Sequence, residues 1–133
     1  MGGGKGPGAF KGTQGATKPF KSRDKYVGEM ATAIESKFPG KVEAVNKKIL
    51  DSSGSELVEY DIELDNAVIQ VKSQQARGLV GQLVRTAQHT KKEAIGYAPD
   101  ISHRHGMVKD ARIKGFRIFT TENGLLKYLD KKS

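Results

Sequence analysis

Apolar residues recur along this 133-residue chain with two different periods, and the places where the period changes mark out its elements. From Asp24 to Phe38, the residues Val27, Met30, Ala31, Ile34 and Phe38 fall at helical spacing and Pro39-Gly40 ends the run, which predicts one amphipathic helix. Val42 to Leu50 is rich in strand formers and closes on the turn cluster Asp51-Ser52-Ser53-Gly54-Ser55. A period of two then takes over. Glu59-Tyr60-Asp61-Ile62-Glu63-Leu64, the turn signal Asp65-Asn66 and Ala67-Val68-Ile69-Gln70-Val71-Lys72 read as an antiparallel hairpin. Leu79, Val80, Leu83 and Ala87 make one stripe of a second helix over 76–89. A short strand over 94–97, a helix over 107–114, a strand over 116–120 and a closing helix over 122–129 complete the pattern.

The hairpin register follows from its turn. With Asp65-Asn66 as the loop, Leu64 pairs with Ala67, Glu63 with Val68, Ile62 with Ile69, Asp61 with Gln70, Tyr60 with Val71 and Glu59 with Lys72. Side chains alternate between faces, so Tyr60, Ile62, Leu64, Ala67, Ile69 and Val71 are expected on one apolar face. Glu59, Asp61, Glu63, Gln70 and Lys72 are expected on the other. A slip of one residue would spoil both faces at once. One reading of the polar face is a solvated surface with a Glu59–Lys72 ion pair, worth at most about 1 kcal/mol; the other is a site.

Composition narrows the class. Residues 1–23 have no periodicity and hold seven of the sixteen glycines and two of the four prolines, which predicts a flexible Gly/Lys-rich linker over 1–23 ahead of a single domain over 24–133. Residues 1–25 carry six basic and one acidic residue, so net +5 of the formal +8 belongs to the tail. That tail could touch phosphate without sequence preference, whereas the domain itself is mildly basic. No apolar run is long enough to span a bilayer, and no apolar stretch follows Met1 as a secretory signal would require. With no cysteine, disulfides and thiolate metal sites are excluded. Gly2-Gly3-Gly4-Lys5-Gly6 lacks the flanking strand and helix and the Gly-Lys-Ser/Thr ending of a phosphate loop. His89, His103 and His105 have no Cys or acidic partner at metal-ligand spacing and are expected to face solvent.

An acidic residue on one strand and Gln-x-Lys on the next resembles the PD-(D/E)xK nuclease superfamily, through Asp61 and Gln70-Val71-Lys72, with Gln where Glu or Asp is more frequent. Gly28-Glu29 on the first helix is similar to the Gly-Glu helix of its small members. The resemblance implies an α/β, restriction-endonuclease-like αβββαβ core, a mixed central sheet flanked by helices, extended here by a C-terminal α-β-α segment. It implies hydrolysis of phosphodiester bonds with Mg²⁺ or Mn²⁺, ahead of Zn²⁺, as cofactor. Asp61, Gln70 through its side-chain oxygen, Val71 through its carbonyl and Glu29 would be the metal ligands, with Glu35 the alternative to Glu29. Asp61, Glu59, Gln70 and Lys72 would form the catalytic group. Lys72 would orient or help deprotonate the attacking water, and Arg77 and Arg85, on one face of the second helix, would clamp phosphate with Lys72.

A Gly- and Lys-rich lead-in to a compact nuclease domain is also similar to the toxin tips of contact-dependent growth inhibition and related polymorphic systems. That similarity implies a monomeric domain delivered as part of a larger secreted or cell-surface protein. It would act on tRNA or DNA in the target-cell cytoplasm and be neutralised by a cognate immunity protein. A housekeeping repair or junction-resolving nuclease, and a non-catalytic nucleic-acid-binding module with an eroded site, are the alternatives. No residue pattern separates DNA from RNA as substrate.

Overall fold

The computed structural model describes residues 20–132. Most of the expected linker, residues 1–19, lies outside the described residues. The elements follow in the order α1 (Lys25–Lys37), β1 (Val42–Leu50), β2 (Glu56–Leu64), β3 (Ala67–Val71), a 3₁₀ turn (Gln74–Ala76), α2 (Leu79–Ala87), β4 (Glu93–Tyr97), α3 (Gly106–Ile113), β5 (Arg117–Phe119) and α4 (Glu122–Lys132). The five strands lie in chain order in one mixed sheet. β1, β2 and β3 form an antiparallel meander, while β4 and β5 join in parallel because α2 and α3 carry the chain back across the sheet. The architecture is therefore α/β, and it follows the expected element order throughout.

Each helix buries one stripe. Val27, Met30, Ala31 and Ile34 of α1 and Leu125 and Leu129 of α4 pack with Ile62, Leu64, Ile69, Val71, Ile95 and Tyr97 on one face of the sheet. Leu79 and Leu83 of α2 and Val108 and Ala111 of α3 pack with Ala94 and Ile118 on the other. A Cβ on Gly96 would stand 2.9 Å from Ile118 and 3.1–3.2 Å from Leu79 and Leu83, so the bare backbone of β4 is what lets α2 come down onto the sheet.

The domain begins earlier than expected. Phe20 packs against the α1 core and its N–H donates to Thr32 Oγ1 at 2.8 Å. Its carbonyl lies so close to α1 that a Cβ on Gly28 would stand 2.9 Å away. Gly28 thus serves a close backbone approach, and residues 20–23 belong to the fold rather than to the linker.

Two further expectations need correction. Ile62↔Ile69 and Glu63↔Val68 pair as derived, but Tyr60 does not share the face of Ile62. It packs with Val58 and Val68, and its hydroxyl donates to the His89 carbonyl at 3.0 Å. Alternation is interrupted at Asp61, which lies opposite Asn46 on β1, a residue in the left-handed region at φ 55°. Glu63 also leaves the expected acidic face, because Lys47 and Lys92 hold its carboxylate at 3.1 and 3.0 Å. Burial pushes that carboxyl up, and the two lysines outweigh it and hold it below its ordinary range.

Candidate functional site

Beyond the Ile62–Ile69 pair the backbone ladder of β2 and β3 gives way to side chains. The Val71 N–H donates to Asp61 Oδ2 at 2.8 Å, and the Asp61 N–H donates to Gln70 Oε1 at 3.1 Å. Gln70 Nε2 donates to the Glu59 carbonyl at 2.7 Å and to Thr86 Oγ1 of α2 at 2.8 Å. Gln70 is fully buried, and its amide meets two acceptors and one donor. It stitches the diverging strands to each other and to α2, and in doing so fixes the peptide that carries Asp61.

The cleft that opens there, of about 350 Å³, is bordered by Asp24, Glu59, Asp61, Val71 and Lys72, with Ser22, Asn46 and Gln82 on its rim. Asp24 is the N-cap of α1, accepting from the Tyr26 N–H at 2.9 Å. Ser22 donates to Asn46 Oδ1 at 2.8 Å, tying the entry segment to β1 beside the acids. Three carboxylates and one lysine therefore share one partly enclosed space. Burial raises the Asp61 carboxyl from 3.8 to about 6; the Val71 N–H opposes this, Glu59 and Asp24 add to it, and Lys72 offsets a little.

A second groove, of about 830 Å³, shares Glu59, Asp61, Lys72 and Gln82 with the first and runs between the start of β2 and α2 to Arg85. Asp61, Glu59, Lys72 and Arg85 are thus brought together as expected. Gln70 is at the site but turned away from the cleft, with Oε1 engaged by the Asp61 N–H. Arg77 lies in the connection before α2 and borders neither space. The helical-face argument that grouped it with Arg85 fails because α2 starts only at Leu79. Gln74, Gln75 and Ala76 have φ of 55°, 67° and 61°, a left-handed turn that precedes Gly78 at φ 82°. Asp100 holds that turn by accepting from the Gln74 N–H at 2.8 Å.

Glu29 is exposed on α1 and borders neither space. Its charge reaches Tyr97 instead, whose phenol is raised first by burial and then by Glu122, Tyr26, Glu29 and Asp100. Glu35 is taken up by the α1–β1 turn, accepting from the N–H groups of Gly40 and Val42. His105 caps α3, its Nδ1 accepting from the Met107 N–H. Asp24 was the member of the site not singled out in the sequence, although an Asp immediately before a helical run signals a cap that must lie at the helix mouth. Asn46, Gln82 and Thr86 leave no such signal.

Among the described residues no three His, Cys, Asp or Glu side chains stand close enough to hold a metal ion. The donors that do converge are Asp61, whose Oδ1 has no hydrogen bond among the described residues, the Val71 peptide, and the Glu59 and Asp24 carboxylates in the same cleft. That sparse oxygen set fits Mg²⁺, which keeps several of its waters, and does not fit a four-ligand zinc centre. No helix among the described residues is long and apolar enough to cross a membrane. Comparison with protein-family models, with curated proteins and with solved structures returns no match.

Proposed function

We propose that this chain is a metal-dependent nuclease of the restriction-endonuclease-like class, hydrolysing a phosphodiester bond in the Asp61 cleft. The observation that carries the reading is Asp61 itself. It is a partly buried carboxylate pinned by a backbone N–H, raised to about 6 and sharing a cleft with two more carboxylates and a lysine. A site that crowds negative charge around one carboxylate is poised for a cation. When bound, Mg²⁺ would polarise a phosphoryl oxygen and lower the pKa of a bound water. Asp61 and the Val71 carbonyl would hold it, with Glu59 and Asp24 as further acceptors for its waters.

The protein's own groups divide the remaining work. Lys72, at the exposed end of β3 and bordering both spaces, would offset charge developing on the phosphate and orient the attacking water. Gln70 is read as a positioning residue, not a ligand, since its amide is spent on Asp61, Glu59 and Thr86. Arg85 would take a flanking phosphate from the second groove. The toxic-domain reading, with a cognate immunity protein, a monomeric working form, tRNA or DNA as target and delivery as part of a larger protein, is proposed on the Gly/Lys-rich lead-in and the motif resemblance.

The scarcity of side-chain ligands favours one competing reading, a nucleic-acid-binding module that does not cleave. Role-splitting variants separate the two. Lys72→Ala should keep Mg²⁺ binding and lose cleavage, whereas Asp61→Asn should lose both. Unchanged cleavage in Lys72→Ala would sink the role given to that lysine. Mg²⁺ binding with no cleavage by the wild-type chain would favour the binding module. For the toxin reading, expression of the full chain inside a bacterium should stop growth and Lys72→Ala should relieve it; harmless expression of an active nuclease would favour a housekeeping enzyme.

A further inference from the structure

Four glycines among the described residues have φ between 84° and 90° or at 82° and so need no further explanation. Gly28 and Gly96 are explained by what a Cβ would strike. Gly81 has neither reason. It sits in the first turn of α2 with helical backbone, and no described atom lies within 4 Å of where its Cβ would be. Alanine there would hold the helix better and meet nothing inside the protein. Gly106 also has room, but it opens α3 at the helix's first position and borders neither space described above.

What distinguishes Gly81 is its place. Its bare backbone forms part of the wall of the second groove, next to Gln82 and between Lys72 and Arg85. The opposite wall is β2 from Glu56 to Asp61. A polymer lying along this groove meets two cationic side chains and an amide on the α2 wall, and meets Asp61 at the end where the groove joins the cleft. Polyanionic backbone is the ligand that such a wall selects.

We infer that the groove between β2 and α2 seats one phosphodiester strand running out of the cleft, and that Gly81 is kept bare so that this strand lies directly against α2 between Lys72 and Arg85. This rests on the nuclease reading for the identity of the ligand but not on catalysis: seating needs no metal. A side chain at position 81 would stand where the strand passes, while leaving the protein's own packing untouched.

Binding of a labelled 12-nucleotide single strand, as DNA and as RNA, to the full chain in EDTA at fixed salt tests this by fluorescence anisotropy, alongside melting. Gly81→Ala should raise Tm by about 4 °C, as a helix gain of that kind does in a domain of this size, and should not tighten binding. Gly81→Leu should weaken binding at least about tenfold, or 1.4 kcal/mol, without lowering Tm. Val84→Leu, on α2 but off the groove wall, should change neither. Stable Gly81→Leu that binds like wild type overturns the inference while leaving cleavage untouched. Gly81-dependent binding by a chain that never cleaves supports the groove and removes the nuclease reading instead; wild-type chain that binds neither strand overturns the groove outright. The stronger of the DNA and RNA arms identifies the source of the strand.

Discussion

Replacing Asp61 by Asn should stabilise the protein at neutral pH, although Asp61 is the residue on which activity is proposed to depend. The carboxyl moves from 3.8 to about 6 on folding, and at about 1.36 kcal/mol per pH unit that corresponds to roughly 3 kcal/mol of penalty on the ionised form. The sign runs against the usual carboxylate. A raised folded-state pKa means the native protein binds the proton more tightly, so this group's contribution is full below the unfolded value near 4 and is lost as pH rises through about 6. Asn keeps an oxygen to accept the Val71 N–H and carries no charge, so it escapes the penalty. Urea unfolding of wild type and Asp61→Asn at pH 4 and pH 8 isolates the effect, because acids with lowered pKa such as Asp51, Glu63 and Asp65 contribute equally to both proteins. The advantage of Asn should be small at pH 4 and approach about 3 kcal/mol at pH 8. Excess Mg²⁺ at pH 8 should raise the stability of wild type only, since a ligand of the native state stabilises by mass action. An advantage that does not change with pH, or an Asn variant less stable than wild type at pH 8, would refute the picture of Asp61 as a carboxylate crowded and desolvated in its cleft.

Other expectations follow from the same geometry. Gln70→Glu sets a carboxylate oxygen against the Glu59 carbonyl where an amide N–H now donates, and should cost about 1–3 kcal/mol by denaturant melting; a stable Gln70→Glu protein with tighter Mg²⁺ binding would show instead that position 70 is a ligand. Gly28→Ala should push Phe20 off α1 and destabilise by about 1–3 kcal/mol. Because Ser22 and Arg23 border the cleft, it should also lower activity in protein that remains folded; full activity would detach the entry segment from the site.

Local pattern carried most of the architecture. The α1 stripe, the β1 span and the Ile62–Ile69 register each follow from spacing and one turn, and the structure reproduces them. Asp61, Glu59, Lys72 and Arg85 converge because that register brings the first three to one end of β3. What was not legible depends on distant parts. Tyr60 changes face because Asn46, fifteen positions away on β1, takes a left-handed conformation opposite Asp61. Gln70 looked like an exposed polar position by alternation. It is buried because the strands diverge there and Thr86 of α2 arrives to complete its hydrogen bonds. Arg77 looked helical because nothing in Gln74-Gln75-Ala76 announces a left-handed turn; Asp100, twenty-six residues from Gln74, supplies the acceptor that holds it. Glu29 drew attention through the Gly28-Glu29 pair, yet Gly28 is required by Phe20, a contact no helical period encodes.

The account is tested most directly by cleavage. Purified full chain, wild type and Asp61→Asn, is incubated with plasmid DNA and with tRNA in Mg²⁺, in Mn²⁺ and in EDTA, and the products are resolved on gels. The account predicts that wild type cuts at least one of the two substrates with a divalent ion, that EDTA stops it, and that Asp61→Asn stays intact in fold and inactive. Cleavage that survives EDTA or the Asn substitution, or a folded wild-type chain that cuts neither substrate with either ion, would contradict it.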